Sequence, residues 1–135
     1  MHANIRYSFG GDEHLFAEVA EAMSLEAFFR GMAITRAIEA LQLPGVLDVC
    51  LANASFQVRF DPDRLAPEAL LETVRRWVPV TCEAFMNHRL GGARLSARAL
   101  DVVRRMVAGE RPAQENSGLS KREWRELMAV LARDV

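Results

Sequence analysis

The chain has 135 residues, 50% of them hydrophobic and 26% charged, with a formal net charge of −1. That gives room for one domain, or one small domain with an appendage, and enough apolar content to bury a core; it excludes a large enzyme with separate cofactor and substrate domains and a disordered tail. No apolar run reaches the ~18 residues of a membrane span, and Met1-His2-Ala3-Asn4-Ile5-Arg6 lacks the charged-then-apolar pattern of a secretory signal, so the expected compartment is the cytoplasm.

Ile5-Arg6-Tyr7-Ser8-Phe9 alternates apolar and polar residues as a half-buried strand does. Gly10-Gly11-Asp12-Glu13 is a turn, and Leu15 to Val19 a second strand. Ser24 caps a long helix with Glu26 in its first turn. Leu25, Phe28, Phe29, Met32, Ala33, Ala37 and Leu41 mark its buried face at 3/4 spacing, and it ends before Pro44-Gly45. Val46 to Leu51 and Phe56 to Phe60 form a β-hairpin around Asn53-Ala54-Ser55. Pro67 fits the first position of a second helix, whose apolar stripe is Ala69, Leu70, Val74 and Trp77. Val78 to Phe85 reads as a last strand, placed at an edge by Pro79.

The predicted order is β-β-α-β-β-α-β. Without its first strand it is the split βαβ, ferredoxin-like arrangement, so the fold class is α+β with an extra N-terminal strand. The strands of Cys50 and Cys82 then lie at opposite edges, which excludes a disulfide between them. Both cysteines sit among apolar residues and read as buried free thiols.

Beyond Phe85 the composition changes. Asn87 to Arg94 reads as a linker, and Ser96 can cap a helix carrying Leu100, Val103, Met106 and Val107. Gly109 to Gly118 has loop composition. Leu119-Ser120-Lys121-Arg122-Glu123-Trp124 combines capping-box and hydrophobic-staple spacing at the start of a second helix, completing an αα-hairpin. The expected division is residues 1–88 as a ferredoxin-like domain and 89–135 as linker and two-helix extension. Charge follows the same division. Residues 1–88 hold seven Arg against twelve Asp and Glu, and 89–135 hold ten Lys and Arg against six acids.

Candidate chemistry is sparse. Asp12, Glu13 and His14 could form an acid–base group if they converge, although Asp in a turn also serves the backbone. Asn53 and Ser55 shape the hairpin turn or bind, and Arg59 could grip a carboxylate. Trp124, Met128 and Leu131 could cover the open face of the sheet or form an oligomer interface. No metal-ligand spacing, phosphate loop or nucleophile elbow is present, so no metal and no cofactor are expected. Lys121, Arg122 and Arg125 at the start of the last helix allow a DNA-binding alternative, although nucleic acid is not the expected partner.

Four segments carry a resemblance: Phe9-Gly10-Gly11-Asp12-Glu13-His14-Leu15-Phe16-Ala17-Glu18-Val19, Met23-Ser24-Leu25-Glu26-Ala27, Leu43-Pro44-Gly45-Val46, and Ala52 to Pro62. Over roughly residues 5–85 the chain resembles the N-terminal domain of the allophanate hydrolase subunit 1 family. That family includes a subunit of 5-oxoprolinase, a sporulation kinase inhibitor and part of the carboxyltransferase domain of urea carboxylase. The resemblance implies a ferredoxin-like domain. It also implies a setting of hydrolase or carboxyltransferase chemistry on urea-like, amide or lactam substrates, with a subunit-2-like partner. Family members continue into a cyclophilin-like barrel, whereas here helices follow. The expectation is a truncated accessory subunit that positions a partner rather than a complete enzyme. The alternatives are a stand-alone regulatory interaction module, or homo-oligomer, and the DNA-binding regulator.

Overall fold

The two N-terminal alternating segments form an antiparallel hairpin, β1 (Arg6–Gly10) and β2 (His14–Glu18), in the computed structural model, which describes residues 5–89 and 97–133. Helix α1 (Leu25–Leu41) follows, then the hairpin β3 (Val46–Leu51) and β4 (Ser55–Phe60). Helices α2 (Pro67–Arg89), α3 (Ala97–Val107) and α4 (Lys121–Arg133) complete the chain, with a short 3-10 turn at Gln114–Asn116. The fold is α+β.

The four strands lie in the order β1-β2-β4-β3, every pair antiparallel. Strand β4 therefore lies between β2 and β3, the two strands that α1 connects. This is the expected split βαβ unit. The extra N-terminal strand is no appendage: β1 occupies the edge beside β2, where the predicted last strand would have paired.

That last strand does not exist. Residues 78–85 continue α2 without a break. Val78, Val80 and Cys82 alternate, but Leu70, Val74, Val78 and Cys82 also recur every four residues, and all of them are buried. Helix α2 packs between α1 and α3, so its middle is buried on several sides and period-2 and period-3.6 readings coincide. Pro79 sits inside the helix rather than on a sheet edge, and two residues on the Thr81 hydroxyl donates to the Trp77 carbonyl at 2.8 Å. Asn87 to Arg89 belong to α2; the rest of the predicted linker and the Ser96 cap lie outside the described residues.

Helix α1 is capped as expected, with the Ala27 N–H donating to Ser24 Oγ at 3.0 Å. Its buried face is rotated from the expected one. Ala27, Gly31, Ile34, Thr35, Ala37, Ile38 and Leu41 face inward, while Leu25 and Phe29 are 76% and 59% exposed. The cause is close packing on the sheet. A methyl group on Gly31 would stand 2.9 Å from Leu51 Cδ1, so glycine takes the point where α1 comes nearest β3, with Ile34, Ile38 and Leu41 filling the rest of that face.

The core begins on the helix-facing side of the sheet with Leu15, Ala17, Phe56, Val58 and Phe60. It runs through α1 and α2 to Val102, Val103, Leu119, Leu127 and Val130. Helices α3 and α4 thus pack on the helical layer, not over the open face of the sheet. The Arg104 Nε–H donates to the Ala40 carbonyl at 2.7 Å and fixes α3 to α1. At the start of α4 the predicted capping box is complete. The Glu123 N–H donates to Ser120 Oγ, and the Ser120 N–H donates to Glu123 Oε1, each at 3.1 Å. Replacing Ser120 by alanine should cost about 1 kcal/mol in urea denaturation, the usual value of a helix N-cap.

Cys82 is buried as expected, with its Sγ 3.5 Å from the Ala33 carbonyl oxygen. Burial pushes its thiol from 9.0 up to about 12. The folded state then holds a proton that the unfolded state loses. The resulting stabilisation is complete below pH 9 and is lost as pH rises toward 12, by at most about 1.4 kcal/mol per pH unit. Tyr7, whose phenol is also pushed up by burial, adds in the same direction. Stability measured from about pH 8.5 to 11 should fall less steeply in Cys82→Ala than in the parent chain.

Candidate functional site: the open face of the sheet

Side chains alternate along each strand, so residues absent from the core share the other face of the sheet. Strand register orders them in rows. Gly10, His14, Arg59 and Asp48 form one row across β1, β2, β4 and β3. Ser8, Phe16, Gln57 and Cys50 form the next, and Arg6, Glu18 and Ser55 a third. Among the described residues no helix covers this face.

Several contacts order it. The Phe16 ring lies over the backbone of Gly10, where a Cβ would come within 2.0 Å of the ring. The same ring stacks on His14 with centroids 6.2 Å apart. Arg6 Nε and Glu18 Oε2 are 3.6 Å apart, an exposed pair of small energetic value. On β3 the Val49 N–H donates to Asp48 Oδ1 at 3.0 Å, and the Cys50 thiol to Asp48 Oδ2 at 3.4 Å. Cys50 is exposed, contrary to expectation, because Asp48 and Cys50 are the outward members of β3 while Val49 and Leu51 point toward α1. Asp48 raises the Cys50 thiol pKa, through the hydrogen bond first and its charge second, with Arg59 opposing. The thiol is thereby kept protonated and is a poor nucleophile.

The sequence-predicted residues divide along the sheet. Asp12 and Glu13 are exposed in the β1–β2 turn, and the Glu13 carbonyl accepts from the Phe60 N–H at 2.8 Å. His14 follows at the same end, paired in register with Arg59. Ser55 stands opposite Glu18 four residues away along β4, roughly 13 Å at 3.3 Å per residue. Asn53 lies beyond it in the β3–β4 turn, its Nδ2 3.2 Å from Met23 Sδ. The structure therefore brings Asp12, Glu13, His14 and Arg59 to one end and Asn53 and Ser55 to the other. Sequence reasoning misses Asp48, Cys50 and Gln57, though strict alternation on β3 and β4 marks all three as outward.

Trp124 and Met128 line a cavity of about 550 Å3 between α2, α4 and the segment after α3, together with Trp77, Met106, Arg76 and Arg111. The Arg76 guanidinium lies 5.1 Å from the centroid of the Trp77 ring, at cation–π distance. Leu131 is half-buried against the core. Lys121, Arg122 and Arg125 are all exposed, and Arg122 pairs with Glu126 at 3.3 Å. Among the described residues no three His, Cys, Asp or Glu side chains converge on a metal-sized site, and no helix is long and apolar enough to cross a membrane.

Comparison with known proteins gives two kinds of similarity. Residues 5–90 match the family model of the carboxyltransferase domain, subdomain C and D. The chain also superposes on urea carboxylase of Kluyveromyces lactis (TM-score 0.50, 22% identity, 52% of this chain and 6% of that one). It superposes likewise on a conserved uncharacterized protein of Pyrococcus horikoshii (TM-score 0.51, 21% identity, 64% and 38%). At such identity these structures share the fold. Among curated proteins, flavin-dependent thymidylate synthase of Gluconobacter oxydans is 54% identical over 68 residues, and that of Rickettsia prowazekii 43% over 79. The matches take in 50% and 55% of this chain but only 22% and 27% of those proteins. The chain thus spans about a quarter of the length of these curated relatives.

Proposed function

Since the chain belongs to the family of carboxyltransferase subdomains C and D, we propose that it is an accessory component, related to allophanate hydrolase subunit 1, of a hydrolase or carboxyltransferase acting on urea-like, amide or lactam substrates. The observation that carries this reading is the family match over residues 5–90, which takes in the whole sheet, α1 and α2. Its contribution is to position a subunit-2-like partner against the open face. Arg59, with His14 beside it, offers a cationic fork for a carboxylate, and Ser55 and Asn53 offer hydrogen bonds at the other end. Any acid–base step by Asp12, Glu13 or His14 needs groups from the partner, because the sheet holds these residues in a turn and at its rim. Trp124, Met128 and Leu131 supply a second, apolar contact region. A cytoplasmic setting goes with this reading.

Co-expression with a subunit-2-like protein from the same organism tests it. A stoichiometric complex that turns over a urea-like or lactam substrate, and loses both assembly and turnover in Arg59→Glu, is the expected result. A chain that elutes alone, with the partner equally active without it, overturns the reading.

The thymidylate synthase relatives favour a second reading, in which the chain supplies part of an assembly related to that enzyme. The Trp77–Trp124 cavity suits a planar aromatic group by its size and aromatic walls, and Arg76 and Arg111 suit a phosphate. Flavin titration checks it. Saturable quenching of tryptophan fluorescence that is lost in Trp124→Ala supports this reading, and no quenching excludes flavin binding by the chain alone.

A further inference from the structure

The two edges of the sheet differ. Strand β3 has a register irregularity between Val46 and Asp48, a bulge that discourages another strand from pairing there. Strand β1 carries no such device. Its pairing with β2 is regular over all five residues, and Arg6-Tyr7-Ser8-Phe9-Gly10 contains neither proline nor lysine. Its outer edge pairs with no strand among the described residues. Phe9 stands opposite the fully buried Leu15 in register, and so points to the helix side, yet remains 44% exposed. The helical layer leaves this flank of β1 open.

We propose that β1 is a homodimerisation edge, on which β1 of a second copy pairs antiparallel about a two-fold axis through Ser8. Three features choose a second copy as the occupant. Pairing is self-complementary only if same-face residues meet, and the register centred on Ser8 joins all five residues; shifting the centre by one residue either way joins three. In that register Tyr7 of each copy faces Phe9 of the other, giving two aromatic cross-strand pairs on the helix side. Arg6 of each copy faces Gly10 of the other, next to the acidic Asp12-Glu13 turn, so opposite charges meet at both ends. The result is an isologous interface and one continuous eight-stranded sheet, and the second copy adds its Arg6 beside the His14–Arg59 row.

Sedimentation of the full chain, with and without Phe9→Lys, tests the edge. The parent should be dimeric. Phe9→Lys should be monomeric with an unchanged circular dichroism spectrum, while Leu25→Lys on the exposed start of α1 should stay dimeric. A second readout does not depend on dissociation. Antiparallel partners stand about 4.5–5.5 Å apart at Cα, within disulfide range. Ser8→Cys in a Cys50→Ser background should therefore form a covalent dimer on mild oxidation, and Ser55→Cys in the same background should not. A parent that is monomeric up to its solubility limit overturns the proposal. So does a dimer that survives Phe9→Lys and fails to cross-link through position 8.

Discussion

Truncating Phe56 to alanine is expected to remove about 3–5 kcal/mol of stability, the usual loss for a buried aromatic side chain. Phe56 lies on an interior strand of the sheet, is 2% exposed, and stands between Ala17 on β2 and Leu51 on β3. Ala17, with a single methyl group, cannot extend into the void, so much of the cavity cost is retained. A domain of this size is stable by only about 5–15 kcal/mol, so the variant should show a large drop in urea midpoint with little change in slope. Phe16 is the internal control. It is also a sheet phenylalanine, but it is 41% exposed on the open face, and Phe16→Ala should cost less than about 1 kcal/mol. Equal losses at the two positions would contradict the assignment of inner and outer faces.

The second large effect concerns the two thiols. In the native protein at about pH 8, Cys50 should react with a disulfide reagent at least ~100 times faster than Cys82. Cys82 is fully buried in α2, and with its thiol raised to about 12 only about one molecule in 10⁴ carries the thiolate at that pH. Cys50 is open to solvent and restrained chiefly by Asp48. Asp48→Asn removes the carboxylate whose hydrogen bond and, second, charge hold its proton, so the Cys50 rate should rise several-fold near neutral pH while Cys82 stays silent. Denaturant should equalise the two sites. Mass spectrometry of labelled peptides reads each cysteine separately, and native labelling of Cys82 at the Cys50 rate would contradict the helical placement of residues 78–85.

Much of this is legible in the sequence. The alternation of Phe56, Val58 and Phe60, the Pro44-Gly45 stop and the Ser120–Glu123 box are local signals, and local chemistry decides each of them. Two readings fail for tertiary reasons. Spacing puts Leu25 and Phe29 on the inner face of α1, but that face is Ala27, Gly31, Ile34, Ile38 and Leu41, with Gly31 at the close approach to Leu51 of β3, and Leu25 and Phe29 turn outward. Alternation makes Val78-Pro79-Val80 an edge strand. Helix α2 is buried on several sides, which erases the polar phase that would have revealed its period. The open face is half legible: His14, Ser55 and Arg59 stand out as residue types, but their grouping depends on β2–β4 register, which no local pattern contains.

The β2–β4 pairing also bears on how the chain finds its fold. Both hairpins, β1–β2 and β3–β4, close over short loops and can form on the microsecond scale. The sheet becomes continuous only when His14–Glu18 meets Ser55–Arg59, a seam that must enclose α1 and β3. Closing that loop costs chain entropy before its contacts repay it, so this seam, rather than either hairpin, sets the folding rate. Phe56 and Ala17 face each other within it. Strand order thus makes one junction between two quickly formed halves the kinetic bottleneck of the sheet.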